Sequence, residues 1–185
     1  MHSIFLLGFM GSGKSAVARN LSKTLKWPLV DLDAAIEREI GATIADYFSS
    51  HGEEKFRAIE SRVLREVCLE KAIVSLGGGV PTQSENRDIL CAAAHSGSLV
   101  VYLQTSPQEL ATRIRRAPGK RPLIDGDGHL DFPATLKRVE ALMDEREGFY
   151  RQCANLVVET NGRSITQVAR EIEAAWNEDR QASVN

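Results

Sequence analysis

The stretch LLGFMGSGKSAV (residues 6–17) contains the pattern Gly8-x-x-x-x-Gly13-Lys14-Ser15. These residue types at this spacing can grip phosphate. Glycines let the chain turn tightly and aim backbone N–H groups at phosphate oxygens. A lysine in this place reaches the β- and γ-phosphates of a nucleoside triphosphate, and the hydroxyl after it ligates Mg²⁺. Gly11, Ser12, Gly13, Lys14, Ser15 and Ala16 are therefore the candidate nucleotide contacts. No G-x-G-x-x-G is present, which argues against a dinucleotide site.

Carboxylates and arginines recur away from this loop. Asp31 and Asp33 lie two apart after an apolar run, and in extended chain such residues point to the same side. Beside Lys14, one can join a magnesium shell while the other accepts a hydrogen bond from a substrate hydroxyl and acts as its base. The plainer reading makes Asp33 the N-cap of a helix over Ala34–Ile40. Arg57 and Glu60, one helical turn apart, form at least a surface ion pair, but Arg57 follows the apolar Phe56. Arg146 precedes Tyr150 by four residues. Arg113, Arg115, Arg116, Lys120 and Arg121 surround a Gly/Pro/Asp-rich excursion, APGKRPLIDGDGHLD (residues 117–131). A basic, mobile lid of this kind can close over phosphates and exclude water. Gly77, Gly78 and Gly79 follow a third apolar run, where a ligand can approach bare backbone.

The elements that must position these residues are legible as alternating patterns. Five short runs, Ser3–Leu7, Pro28–Leu32, Ala72–Leu76, Ser98–Leu103 and Leu156–Glu159, read as strands, and most are continuously apolar. That suits a parallel sheet covered on both faces. Helical patterns lie between them. Ser15–Leu25 follows the glycine loop, and Glu53–Glu70 carries Phe56, Ile59, Val63 and Val67 at steps of three and four. Ser106-Pro107-Gln108-Glu109 offers an N-cap serine, a proline at the first helical position and a capping-box glutamate. Ile165, Val168, Ala169, Ile172 and Trp176 make one apolar stripe. The class is α/β, three-layered and doubly wound. Ligands of such sheets bind at the carboxyl ends of the strands, which is where the loop, the aspartates and the triple glycine fall.

The 185 residues imply one domain, residues 1–177, with a tail (178–185) expected to fray. A net charge of −2 gives no basic excess for nucleic acid or an anionic membrane, and no apolar stretch is long enough to span a bilayer. Three widely spaced cysteines without a C-x-x-C, of which Cys68 and Cys91 read as core thiols, fit a reducing compartment. No signal-peptide pattern opens the chain, so a cytoplasmic location is expected. No exposed apolar seam argues against a monomer.

Taken together, the set of motifs resembles the shikimate kinase family, within the nucleoside-monophosphate-kinase-like P-loop enzymes, from Ile4 to about Trp176. The resemblance rests on G-F-M-G-S-G-K-S, on D-L-D at Asp31–Asp33, and on G-E-x-x-F-R-x-x-E from Gly52 to Glu60. It also rests on the triple glycine, on R-P-L-I from Arg121 to Ile124, and on R-x-x-x-Y from Arg146 to Tyr150. It implies a three-layer P-loop NTPase fold with a central five-stranded parallel sheet and a mobile lid (about 113–131). The implied reaction is ATP-dependent phosphorylation of shikimate to shikimate 3-phosphate and ADP, in chorismate and aromatic amino acid biosynthesis. Lys14 and Ser15 then serve ATP and Mg²⁺, with Asp31 in the outer magnesium shell. Asp33 binds ring hydroxyls and is the base, Arg57 and Arg146 hold the carboxylate, and the backbone of Gly77–Gly79 packs on shikimate. Arg121 meets the nucleotide phosphates, and Arg113 and Arg163 border the adenine. Two departures are conservative: Ile124 stands where leucine is usual, and Ala16 where threonine is common. A gluconate-type sugar-acid kinase shares the loop and the small frame, but the other motifs argue against it. A GTPase switch needs N-K-x-D, which is missing.

Overall fold

Five strands, β1 (Ile4–Leu7), β2 (Leu29–Asp31), β3 (Ile73–Ser75), β4 (Leu99–Gln104) and β5 (Leu156–Glu159), pair in parallel in the order β2-β3-β1-β4-β5. The computed structural model describes residues 2–116 and 131–182. β1 lies in the centre, with Phe5 beside Val74 of β3 and Val100 of β4. The continuous apolar runs have the reason expected of them, since both faces of the sheet are covered. Ile4, Leu6, Val101 and Leu103 point to one side, against Val17 and Leu21 of α1 (Lys14–Leu25) and Val168, Ile172 and Trp176 of α8 (Ile165–Ala182). Phe5, Leu7, Val100 and Tyr102 point to the other. There they meet α4 (Glu53–Cys68), α5 (Ser84–His95), α6 (Pro107–Arg116) and α7 (Phe132–Cys153). The alternation of strand side chains thus divides one sheet between two cores.

Three local findings differ from expectation. Asp31 ends β2 and caps α2 (Leu32–Ile40), its carboxylate accepting from the Ala34 N–H at 3.3 Å. Asp33 consequently lies in the first helical turn, not in extended chain. Helix α8 continues to Ala182, so the first part of the tail expected to fray is helical. The helix α3 (Ile44–His51) buries no residue fully, while Ile44 and Tyr47 lean on the core. Its start is held by capping, with Thr43 Oγ1 accepting from the Asp46 N–H at 3.1 Å. Cys68 and Cys91 are only partly buried at the rim of the core, and Cys153 is the fully buried thiol. Among the described residues no helix is long and apolar enough to cross a membrane.

Candidate active site

The glycine loop leaves β1 and enters α1 through three residues with positive φ: Gly8 (143°), Gly11 (83°) and Gly13 (99°). At Gly8 a Cβ would lie 2.8 Å from Ser12 Oγ and 2.9 Å from the Leu103 carbonyl, so the turn closes only around glycine. Buried Ser12 Oγ has no hydrogen-bond partner among the described residues, an orphan that a polar ligand can satisfy. Lys14 folds back over its own loop, Nζ donating to the carbonyls of Gly8 and Phe9 at 2.9 Å each. Burial lowers its pKa to about 8, against the opposing pull of Asp33 and Asp31. The ammonium therefore lacks sufficient counter-charge, which a phosphate would provide. Ser15 Oγ lies 3.4 Å from Ser75 Oγ at the end of β3.

Asp31 and Asp33 both reach the field of Lys14 although a strand-to-helix turn separates their backbones. The Asp33 carboxylate packs directly on Gly77, where a Cβ would come within 2.6 Å of Oδ1. Partial burial pushes Asp33 above the usual carboxylate range, with Asp31 and Glu37 adding to the effect and Lys14 and Arg57 opposing it. A raised carboxylate is a stronger base than an ordinary one.

Arg57 is more than a surface charge. Its Nη1 donates to both oxygens of Glu60 at 3.0 and 2.9 Å, and its Nε to Glu53 at 3.3 Å. Glu60 is only 3% exposed, so the expected surface pair has one buried member. Burial raises the pKa of Glu60, while Arg57 and Asn86 stabilise its charge. Asn86 is fully committed: Nδ2 donates to Glu60 and to the Val80 carbonyl at 3.0 Å each, and Oδ1 accepts from Ser61 at 2.6 Å. The outward edge of the guanidinium faces Gly79, where a Cβ would sit 3.5 Å from Nη2.

Arg146 and Tyr150, on one face of α7, complete this side. The Tyr150 hydroxyl donates to the Gly78 carbonyl at 2.6 Å and lies in the field of the Arg146 guanidinium. Burial pushes its pKa up to about 12, so it remains a neutral donor. Gly78 itself lies against the phosphate loop, a Cβ there falling 3.5 Å from the Gly8 carbonyl and the Met10 nitrogen. The triple glycine is thus the seam between a phosphate-gripping half and a half lined by Asp33, Arg57 and Arg146. A loop N–H cradle on one side and paired arginine forks on the other suit an anionic donor and a carboxylate-bearing acceptor.

Comparisons with known proteins identify the family and the fold. The family model described as "Shikimate kinase" matches residues 10–176. The chain belongs to the shikimate kinase family. A shikimate kinase of Enterococcus faecalis is 37% identical over 173 residues, covering 93% of this chain and 96% of its own. One of Mycobacterium leprae is 41% identical over 172 residues, covering 91% and 79%. Among solved structures, shikimate kinase from Acinetobacter baumannii in complex with shikimate superposes with a TM-score of 0.83 at 33% identity, covering 97% of this chain and 94% of that one. A gluconokinase from Sinorhizobium meliloti shares the fold alone, with a TM-score of 0.56 at 20% identity.

Within this shikimate kinase frame the remaining sequence candidates fall differently. Arg113, on α6, leans over the phosphate loop, its Nη1 3.4 Å from the Gly11 carbonyl and 3.5 Å from that of Ser12. Arg163 is occupied elsewhere, donating to the Glu159 carbonyl at 2.9 Å and pairing with Glu171 at 2.5 Å. The residue near it that does meet the loop is Ile165, whose Cδ1 would lie 3.5 Å from a Cβ on Gly13. Arg121 and the motif Arg121–Ile124 lie outside the described residues. Two supporting residues had no sequence signal, Asn86 and Arg87. Arg87 donates to the carbonyls of Pro81 and Thr82 at 2.9 and 3.0 Å and stacks over Phe149. Both sit in an ordinary polar helix start, so only their contacts distinguish them.

Proposed function

We propose that the chain transfers the γ-phosphoryl group of ATP to a ring hydroxyl of shikimate, giving shikimate 3-phosphate and ADP. The observation that carries this reading is the position of Asp33. Its carboxylate sits on Gly77, within the fields of both Lys14 and Arg57, at the seam between the two halves of the site. In this role Asp33 orients the acceptor hydroxyl and takes its proton. Arg57 and Arg146 hold the shikimate carboxylate, and the bare backbone of Gly77–Gly79 lets the ring approach. Loop N–H groups from Gly11 to Ala16, together with Lys14, hold the phosphates, and Arg113 packs beside the nucleotide. Arg121 is assigned to charge on the phosphates, whereas Arg163, held by Glu159 and Glu171, would border the adenine only after leaving those partners.

Ser15, through its hydroxyl, and Asp31, from the outer shell, would hold Mg²⁺, since hard oxygen groups suit this ion. When bound, Mg²⁺ neutralises charge on the β- and γ-phosphates. A monomeric, cytoplasmic enzyme belongs to the same proposal, and its single-domain organisation (residues 1–177) is supported by one continuous sheet with a core on each face.

The test is ADP release from ATP and Mg²⁺ with shikimate or gluconate as acceptor. Release with shikimate is expected. Release with gluconate alone would overturn the assignment.

A further inference from the structure

Two of the three cysteines come together on the flank of the molecule, away from the glycine loops. Cys91 is on α5, and Cys153 is the last residue of α7. Both line one cavity, and Cys91 Sγ approaches the carbonyl of Gln152, the neighbour of Cys153, at 3.6 Å. A cavity of about 190 Å³ opens between the two helices, lined by Cys91, Ala94, His95, Gln152, Cys153 and Asn155, with Ala154. Cys153 is 2% exposed, whereas Cys91 is only partly covered and faces this opening. The cavity admits a molecule the size of water or hydrogen peroxide, and both thiols line it, Cys91 being the more exposed.

We propose that Cys91 and Cys153 form an oxidisable dithiol, a modification site for small hydroperoxides that closes to an intramolecular disulfide between α5 and α7. The steps balance with hydrogen peroxide as the oxidant. The sulfur of Cys91 attacks one peroxide oxygen, the O–O bond breaks, and the products are a sulfenic acid and water. The sulfur of Cys153 then attacks Cys91 Sγ, the S–O bond breaks, and the leaving hydroxyl takes the Cys153 proton to depart as a second water. Two thiols are oxidised to one disulfide and one peroxide is reduced to water. Burial and the neighbouring Cys91 push the Cys153 thiol up to about 12, so it remains protonated until its partner is a sulfenic acid. This order makes Cys91 the site of first attack.

The disulfide would join two elements that frame the acceptor half. α5 carries Asn86 and Arg87, which hold carbonyls of Val80, Pro81 and Thr82 just after the triple glycine. α7 carries Arg146 and Tyr150, three residues before Cys153. Oxidation thus has a direct mechanical route to the site without touching a residue assigned to it.

The test treats the reduced, full-length protein with hydrogen peroxide, quenches, alkylates remaining thiols after denaturation, and maps peptides by mass. Wild type and Cys68→Ser are both expected to lose two alkylatable thiols, gain a Cys91–Cys153 link and become lighter by two hydrogens. Dithiothreitol should restore both thiols. Cys91→Ser, and Cys91→Ala as a second variant, should form no such link while phosphorylating normally when reduced. Retention of all three thiols, a terminal sulfinic acid at Cys91 beside a free Cys153, or a link formed only through Cys68 or between chains would each overturn the proposal.

Discussion

Replacing Gly77 by alanine isolates the position of Asp33 from its chemistry. Gly77 is not in the left-handed region, so alanine introduces no backbone strain there. The new Cβ would stand 2.6 Å from Asp33 Oδ1, whereas ordinary contact begins near 3.4 Å, so the carboxylate must retreat by about 0.8 Å. Asp33 is a short side chain open to the cleft, and swinging it away is the least costly response. A displacement of about 1 Å at a reacting group costs on the order of 10²-fold in rate. Gly77→Ala should therefore lower kcat by roughly 10²-fold, with the thermal midpoint close to wild type. Gly79→Ala adds the same methyl to the substrate-facing backbone but meets Arg57 Nη2 at 3.5 Å, an ordinary contact, so it controls for the loss of bare backbone without displacing Asp33. Steady-state ADP release, with both substrates varied, and a thermal melt decide the matter. An unchanged kcat in Gly77→Ala, or an equal loss in Gly79→Ala, would refute the placement of Asp33 as the positioned base.

Other expectations follow from the same geometry. Asp33→Asn should reduce kcat by at least about 10²-fold, yet leave the melting temperature equal or higher, because burial and Asp31 already oppose the Asp33 charge; retained turnover would remove Asp33 as base. Arg146→Ala should raise the shikimate KM by about 10- to 100-fold through loss of a charged hydrogen bond, and a parallel loss of ATP affinity would show the residue to be misassigned. Lys14 has a native pKa of about 8 against an ordinary 10.5, so between these values the unfolded chain binds more protons and stability rises with pH. Melting curves of nucleotide-free wild type should show that rise, and Lys14→Met should lack it; parallel curves would contradict the desolvation of Lys14.

Patterns set by nearest neighbours were legible in the chain itself. The glycine spacing of the phosphate loop, the continuous apolar strands and the proline-started helix at Pro107 are local, because φ/ψ freedom, two-sided burial and capping act over a few residues. The family motifs likewise point to Asp33, Arg57 and Arg146. Long-range pairing was not legible. Asp31 and Asp33 were expected to share one side of a strand, but Leu32 is claimed by the core and the helix starts there, so a turn does what alternation was expected to do. Arg57 and Glu60 looked like a surface pair until the fold buried Glu60 and brought Asn86, from 26 residues away, to hold it. The contacts of Tyr150 with Gly78 and of Cys91 with the Gln152 carbonyl join helices to elements 72 and 61 residues distant. The sequence alone determined which residues can do the chemistry and the class of fold that carries them. Tertiary structure decided which of them meet, because burial and hydrogen bonding between distant segments depend on how the helices settle on the sheet, which no local spacing records.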